Sequence, residues 1–261
     1  MVSARIGSLY THRELVLAWT TRIIRARYKQ SVLGGLWAII QPAAAAVIAS
    51  VIFTLFIPVD TGDVPYLVFS YTAMVPWTLF SGSITDMVDS LTSNMNLVSK
   101  IYFPREVLPI AALLARLVDF GVAASMVALL ILFSRMSVSL LGLLFLPVIL
   151  VTQLALALGI GLTGAALNVF YRDIRHLFVL GLQIWMYATP ILYPATAVPE
   201  QYQSLYFLNP MAGVIEAYRA VLLNNALPNP YLLISIAMSI VSLLVGYWFF
   251  KRAESRFADI I

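Results

Sequence analysis

The chain reads as an all-α integral membrane protein, and three observations predict it. Hydrophobic residues fill 61% of its 261 positions and charged residues only 11%, against about 45–50% and about 25% in an ordinary soluble domain. Six apolar stretches meet or approach the roughly 20 residues that a helix needs to cross a bilayer core. Most of the lysine and arginine is gathered in the polar segments that separate them. A soluble fold of this composition would expose large apolar patches, so lipid is the expected solvent.

The six spans are read as residues 32–57, 66–84, 107–133, 140–167, 177–192 and 231–250. The fifth is the shortest and ends near Pro190, where a kinked continuation through Tyr193 is its natural extension. Six crossings place both termini on one side. Thirteen of the sixteen basic residues fall on that side, Arg135 and Arg219 fall on the other, and Arg116 lies within span three. The positive-inside rule then predicts cytoplasmic termini. Residues 1–31 become a cytoplasmic N-terminus, 32–250 the transmembrane domain and 251–261 a cytoplasmic tail. This topology accounts for the net charge of +4, and no nucleic-acid partner is expected.

Two further segments are helical without crossing. In "HRELVLAWTTRIIRARYKQ" (12–30), Val16, Trp19, Ile23 and Ala26 recur at helical spacing, while Arg22, Arg25 and Lys29 share another face. The pattern predicts an amphipathic helix lying along the cytoplasmic membrane surface, with a solvated cytoplasmic helix as the alternative. Between spans five and six, "NPMAGVIEAYRAVLLNN" puts Met211, Val214, Ile215, Tyr218 and Leu222 on one face and Glu216 and Arg219 three apart on another. A helix of about 15 residues covers about 22 Å, short of a core of roughly 30 Å. Non-spanning outer helices are therefore expected there, against protein or a water-filled cavity. A gate over a pathway and a simple packed lid both fit.

The chemistry-bearing motifs mostly exclude. Without cysteine there are no disulfides, thiol nucleophiles or thiolate metal ligands. "GIGLTG" (159–164) has the spacing of a dinucleotide fingerprint, but it lies inside a span, and Ala157, Gly161 and Ala165 repeat every four residues, the pattern of close helix packing in lipid. No GxxxxGK[ST] occurs, so the chain holds no P-loop of its own. His12 and His176 have no partner at metal-ligand spacing, and neither a nucleophile elbow nor an acidic metal cluster is present. No cofactor or metal is expected on this chain. Arg116 and Asp119, three apart within span three, are candidates by their position alone. They form a structural ion pair or line a path.

Four stretches in order, "NLVSKIYFPREVLP" (96–109), "NVFYRDIRH" (168–176), "LNPMAGVIEAYR" (208–219) and "FKRAESRFADII" (250–261), resemble the permease subunit of ABC-2-type exporters of polysaccharide or polyol phosphate, of the O-antigen or teichoic-acid kind. The resemblance runs over nearly the whole chain. It implies a homodimer of six-span subunits in the bacterial inner membrane, resting on two copies of a separate ABC subunit that carries ATP and Mg. It implies that the loop between spans two and three, with Ser99, Lys100, Tyr102, Pro104, Arg105 and Glu106, couples to that ATPase, with Tyr171, Arg172 and Asp173 of the next loop beside it. The implied cargo is undecaprenyl-diphosphate-linked glycan. Arg25, Arg27 and Lys29 would meet the carrier's phosphates, and Trp37, Trp77, Trp185, Tyr187 and Tyr193 would line the path. Asn209, Pro210, Glu216 and Arg219 would form the outer gate. Plainer readings stand beside these: basic residues and aromatics also anchor spans at the interface. An ABC-2 permease for a drug or small lipid, and an intramembrane glycosyl- or phosphotransferase, are the alternatives.

Overall fold

The computed structural model describes residues 12–100, 103–134, 136 and 140–257. Tyr102 and Arg135, the Ser99 side chain, and residues 258–261 of the tail motif lie outside the described residues. Among those described there are helices and no strand. We number them α1 (Arg13–Tyr28), α2 (Trp37–Val51), α3 (Tyr66–Ser90), α4 (Met95–Lys100), α5 (Val107–Phe133), α6 (Leu146–Phe170), α7 (Ile174–Tyr187), α8 (Glu200–Tyr206), α9 (Pro210–Leu222) and α10 (Tyr231–Glu254).

Among the described residues, five stretches are long and apolar enough to cross a membrane: Gly34–Phe56 with α2, then α3, α5, Leu140–Phe170 with α6, and α10. The expected fifth span differs. Helix α7 has 14 residues, about 21 Å at 1.5 Å per residue, and it stops at Tyr187 instead of running to residue 192. Pro190 has no amide hydrogen to continue the ladder, and the carbonyls of Pro190 and Ile191 turn toward Arg219.

Helix α3 is the centre of the bundle. Both of its faces are buried, including the polar Ser70, Thr72 and Ser83, and α5 and α6 pack along it. Helices α6 and α10 pack backbone against backbone. A Cβ on Gly246 would overlap the carbonyl of Gly159, and one on Gly159 would meet the Ser242 backbone. Only glycine allows the two backbones this approach, the lipid-phase packing mode of small residues. Gly161 similarly accepts Met87, and Gly164 accepts Val88 and Phe178. Gln153 donates to the Pro76 carbonyl at 2.7 Å, and Asn168 donates to the Val88 carbonyl at 2.9 Å. These buried amides lock α6 to α3 at two levels, satisfying groups that lipid would leave unpaired.

The amphipathic N-terminal segment forms α1, which packs on α5. Val16 is buried, and Trp19 and Ile23 lie against the main core, while Arg22, Arg25, Ala26 and Lys29 are exposed. Ala26 thus departs from the expected apolar face. The start of α1, the loop before α5 and the end of α10 gather at one end of the bundle, which we call the terminal end. The connection between α7 and α10 and the start of α3 lie at the opposite end, where Tyr66 Oη donates to the Leu192 carbonyl at 2.6 Å.

Candidate functional site

Three groups of charged side chains stand out, and each is built by different elements. The first joins α1, α3 and α5. Arg116 on α5 grips Asp86 of α3 with Nε at 2.6 Å and Nη2 at 3.0 Å. Arg27 of α1 reaches Asp86 at 2.7 Å and also pairs with Asp119 of α5. Tyr28 donates to Asp119 at 2.6 Å. Two guanidinium groups and two carboxylates balance, so the cluster carries no net charge. It opens on a cavity of about 320 Å³ that Trp37 and Gln41 also line. Partial burial pushes the Tyr28 phenol up from its usual range, and the bond to Asp119 adds to the shift.

Arg116 and Asp119 form the expected i,i+3 ion pair, and both line this cavity. Their closest approach is 3.9 Å, and each is held more tightly by a residue from another helix. Arg27 is held by Asp86 and Asp119. Asp86 was overlooked in the sequence, although it occupies a polar end of an apolar run. The signal available was Asp86 and Asp89 three apart at the end of an apolar run; Asp89 pairs with Arg175 at 3.2 Å.

The second group joins the loop before α5 to the end of α10. Arg105 donates from its backbone to Glu254 Oε1 at 3.2 Å and from Nη1 to the Glu254 carbonyl at 2.6 Å. Lys251 lies 2.5 Å from Glu106 and 2.9 Å from Glu254. Glu106 is fully buried. Its carboxylate faces Lys251 inside the bundle. Lys100, Tyr171, Arg172 and Asp173 are exposed, and Pro104 is half-buried.

The third group braces the opposite end. Arg219 on α9 is 2% exposed. It donates to the Pro190 carbonyl at 2.5 Å, the Ile191 carbonyl at 2.8 Å and Glu216 at 3.1 Å. Its guanidinium lies 3.5 Å over the Phe69 ring. Burial pulls its pKa down to about 10 while Glu216 opposes the shift, so it remains cationic at neutral pH. Asn209 caps α9 by accepting from the Met211 amide at 3.1 Å, ahead of the buried Pro210 in the first turn. The same side chain donates to Ala188 and Thr189, and it accepts from Trp185 at 2.8 Å.

The aromatic residues divide. Trp77 is 5% exposed and packs on Phe80, and Trp185 meets Phe80 edge-on. Both rings pack against Phe80 within this chain. Trp37 and Tyr187 are exposed at 45% and 67%. Tyr193 donates to the Tyr187 carbonyl at 3.1 Å and accepts from Tyr206 at 3.0 Å.

A family model described as "ABC-2 type transporter" matches residues 14–223. The O-antigen export system permease protein RfbA of Klebsiella pneumoniae is 30% identical over 248 residues, covering 95% of each chain. The protein of the same description from Myxococcus xanthus is 29% identical over 259 residues, 98% of each. The polysialic acid transport protein KpsM of Escherichia coli is 26% identical over 238 residues, 89% of this chain and 91% of that one. This likeness runs the length of the chain, through α1, the charged loops and the α9 brace alike, and it displaces the transferase reading. The chain belongs to the ABC-2 type transporter family and is a transport permease, not an enzyme.

Proposed function

We propose that this permease is the membrane channel of an ATP-driven exporter of lipid-linked cell-surface polysaccharide, of the O-antigen type. The observation that carries the reading is chain-long similarity to export permeases named for O antigen and polysialic acid. It acts as a homodimer with two copies of a separate ABC subunit, which hold ATP and Mg. The cargo is a glycan on undecaprenyl diphosphate, and the exposed Arg25 and Lys29 of α1 are the basic groups that meet the phosphates on entry.

In this reading the protein crosses the bacterial inner membrane six times. Helix α7 and the segment after it make a short fifth crossing, and α8 and α9 stay in the outer half. The terminal end is cytoplasmic, in keeping with its lysine and arginine. Lys100, Tyr171, Arg172 and Asp173 face the ATPase there. The α9 region, with Asn209, Pro210, Glu216 and Arg219, closes the outer end.

The test uses the permease and its ATPase in proteoliposomes. Lipid-linked glycan should stimulate ATP hydrolysis and small hydrophobic compounds should not; the reverse result favours a drug or lipid permease and sinks the polysaccharide reading. Topology is tested separately. The native chain has no cysteine, so single cysteines at Lys100 and Arg252 should react with membrane-impermeant reagents only after the inner face is opened, and one at Asp63 should react from outside.

A further inference from the structure

The loop before α5 does not hang free below the bundle. It is fastened to the end of the last span by residues about 145 positions away, and these are not the ones its own sequence would nominate. Glu106 opens α5, and the Glu106 and Arg105 carbonyls already accept from Ile110 at 3.1 Å and Leu108 at 3.3 Å. Its carboxylate is fully buried and has Lys251 as ion partner at 2.5 Å. Among the described residues its second oxygen, Oε1, has no hydrogen-bond partner. Lys251 therefore carries the neutralisation of that charge. Glu254, one turn on, holds Lys251 from the other side and takes both the backbone and the guanidinium of Arg105.

An aromatic seam continues the fastening. The Arg105 guanidinium lies 5.7 Å from the ring of Phe257, which is fully buried. Phe257 in turn sits 5.8 Å from Phe250 of α10 and 5.8 Å from Phe170, the last residue of α6. Two cations and two carboxylates cancel in this joint, and an apolar cluster closes one side. A bonded, neutral, partly dry joint of this kind moves as a piece, because opening it would strand a buried carboxylate.

We propose that Lys251 and Glu254 are positioning residues for the coupling loop: they clasp it to the last span, so that a push on the loop moves α5 and α10 together. The inference rests on the reading of this loop as the ATPase contact. In that scheme the exposed Lys100 and the neighbouring loop meet the partner, while Arg105 and Glu106 pass the displacement inward. Lys251 and Glu254 themselves touch neither cargo nor ATPase.

The experiment is a charge-reversal cycle in the full complex, reading polymer exported per ATP hydrolysed. Lys251→Glu and Glu106→Lys should each lower that ratio about tenfold or more, since each sets like charges together in a buried joint, and the double variant should recover part of that loss by restoring the 106–251 pair, while the carboxylate now at position 251 faces Glu254. Normal ratios in the single variants, or a double variant no better than either single, would overturn the clasp. If the reversals fail to assemble, Lys251→Met with Glu106→Gln removes both charges at similar volume and should assemble with a lowered ratio; an unchanged ratio overturns the proposal equally. A second readout needs no cargo. Spin labels at Lys100 and Arg252, both exposed, should keep one separation with and without ATP in the wild-type clasp and a broadened one in the neutral pair. A separation that changes with ATP in the wild type refutes the clasp. Failed glycan transport with an unchanged label distance refutes only the polysaccharide reading.

Discussion

Two arginine sites at opposite ends of the bundle hold their charge in different ways. At the terminal end, Arg27 and Arg116 meet Asp86 and Asp119, side chain to side chain across three helices. At the opposite end, Arg219 is held mainly by the backbone carbonyls of Pro190 and Ile191, with Glu216 as its one close carboxylate among the described residues. The first arrangement is about a quarter exposed at both arginines, and it can exchange partners as helices shift. The second is 2% exposed and depends on a break in the chain at Thr189–Ile191. It can be released only by moving backbone. The Arg27–Arg116 cluster is thus built to readjust and the α9 brace to stay fixed, an appropriate division if helices shift at one end and a path must keep its shape at the other.

The largest expected effect comes from the fixed site. Arg219→Met should strand two carbonyls and the Glu216 carboxylate, costing about 3–5 kcal/mol, seen as a large drop in the detergent unfolding midpoint. Arg219→Lys should recover little of it, because one ammonium cannot reproduce a fork that spans two carbonyls. Full recovery by lysine would show that charge alone matters there, and the contrast between the two sites would fail.

Next comes the hub of the adjustable site. Asp86→Asn leaves Arg27 and Arg116 sharing Asp119, at a cost of about 1–3 kcal/mol. The loss should concentrate in α1, read as faster amide exchange over Arg13–Tyr28 than over α5. Uniform loosening of both helices would mean that the cluster is as rigid as the Arg219 brace.

Asn209→Ala removes the α9 cap and should cost about 1–2 kcal/mol, with Trp185 fluorescence shifting as its indole loses its acceptor. An unshifted spectrum would place the Trp185 partner elsewhere. The smallest change is Tyr28→Phe, which deletes one bond to Asp119 and should cost about 0.5–1.5 kcal/mol while Arg27 keeps both carboxylates. A loss as large as that of Asp86→Asn would make the phenol, and not the ion pairs, the element that seats α1.

The readable and unreadable parts of the molecule divide along sequence distance. Runs such as 107–133 are recognisable because every residue in them reports the same solvent. The face of α1 that buries Val16 and packs Trp19 and Ile23 follows from spacing along one helix. The glycines of α6 announced close packing by their repeat, though not that Gly246 would be the partner of Gly159. Span five misled at its end because a proline near Ile191 lowers helicity without saying where the freed carbonyls go.

Composition, the positions of the apolar runs, the absence of a P-loop and the four family stretches belong to the sequence alone, since each is a local property of the chain. Which charges neutralise one another belongs to the tertiary structure. Arg27 is paired with residues 59 and 92 positions on, and Glu106 with a lysine 145 positions on. A buried charge takes whatever opposite charge the packed helices bring within reach, and no spacing rule along one strand of sequence encodes that meeting.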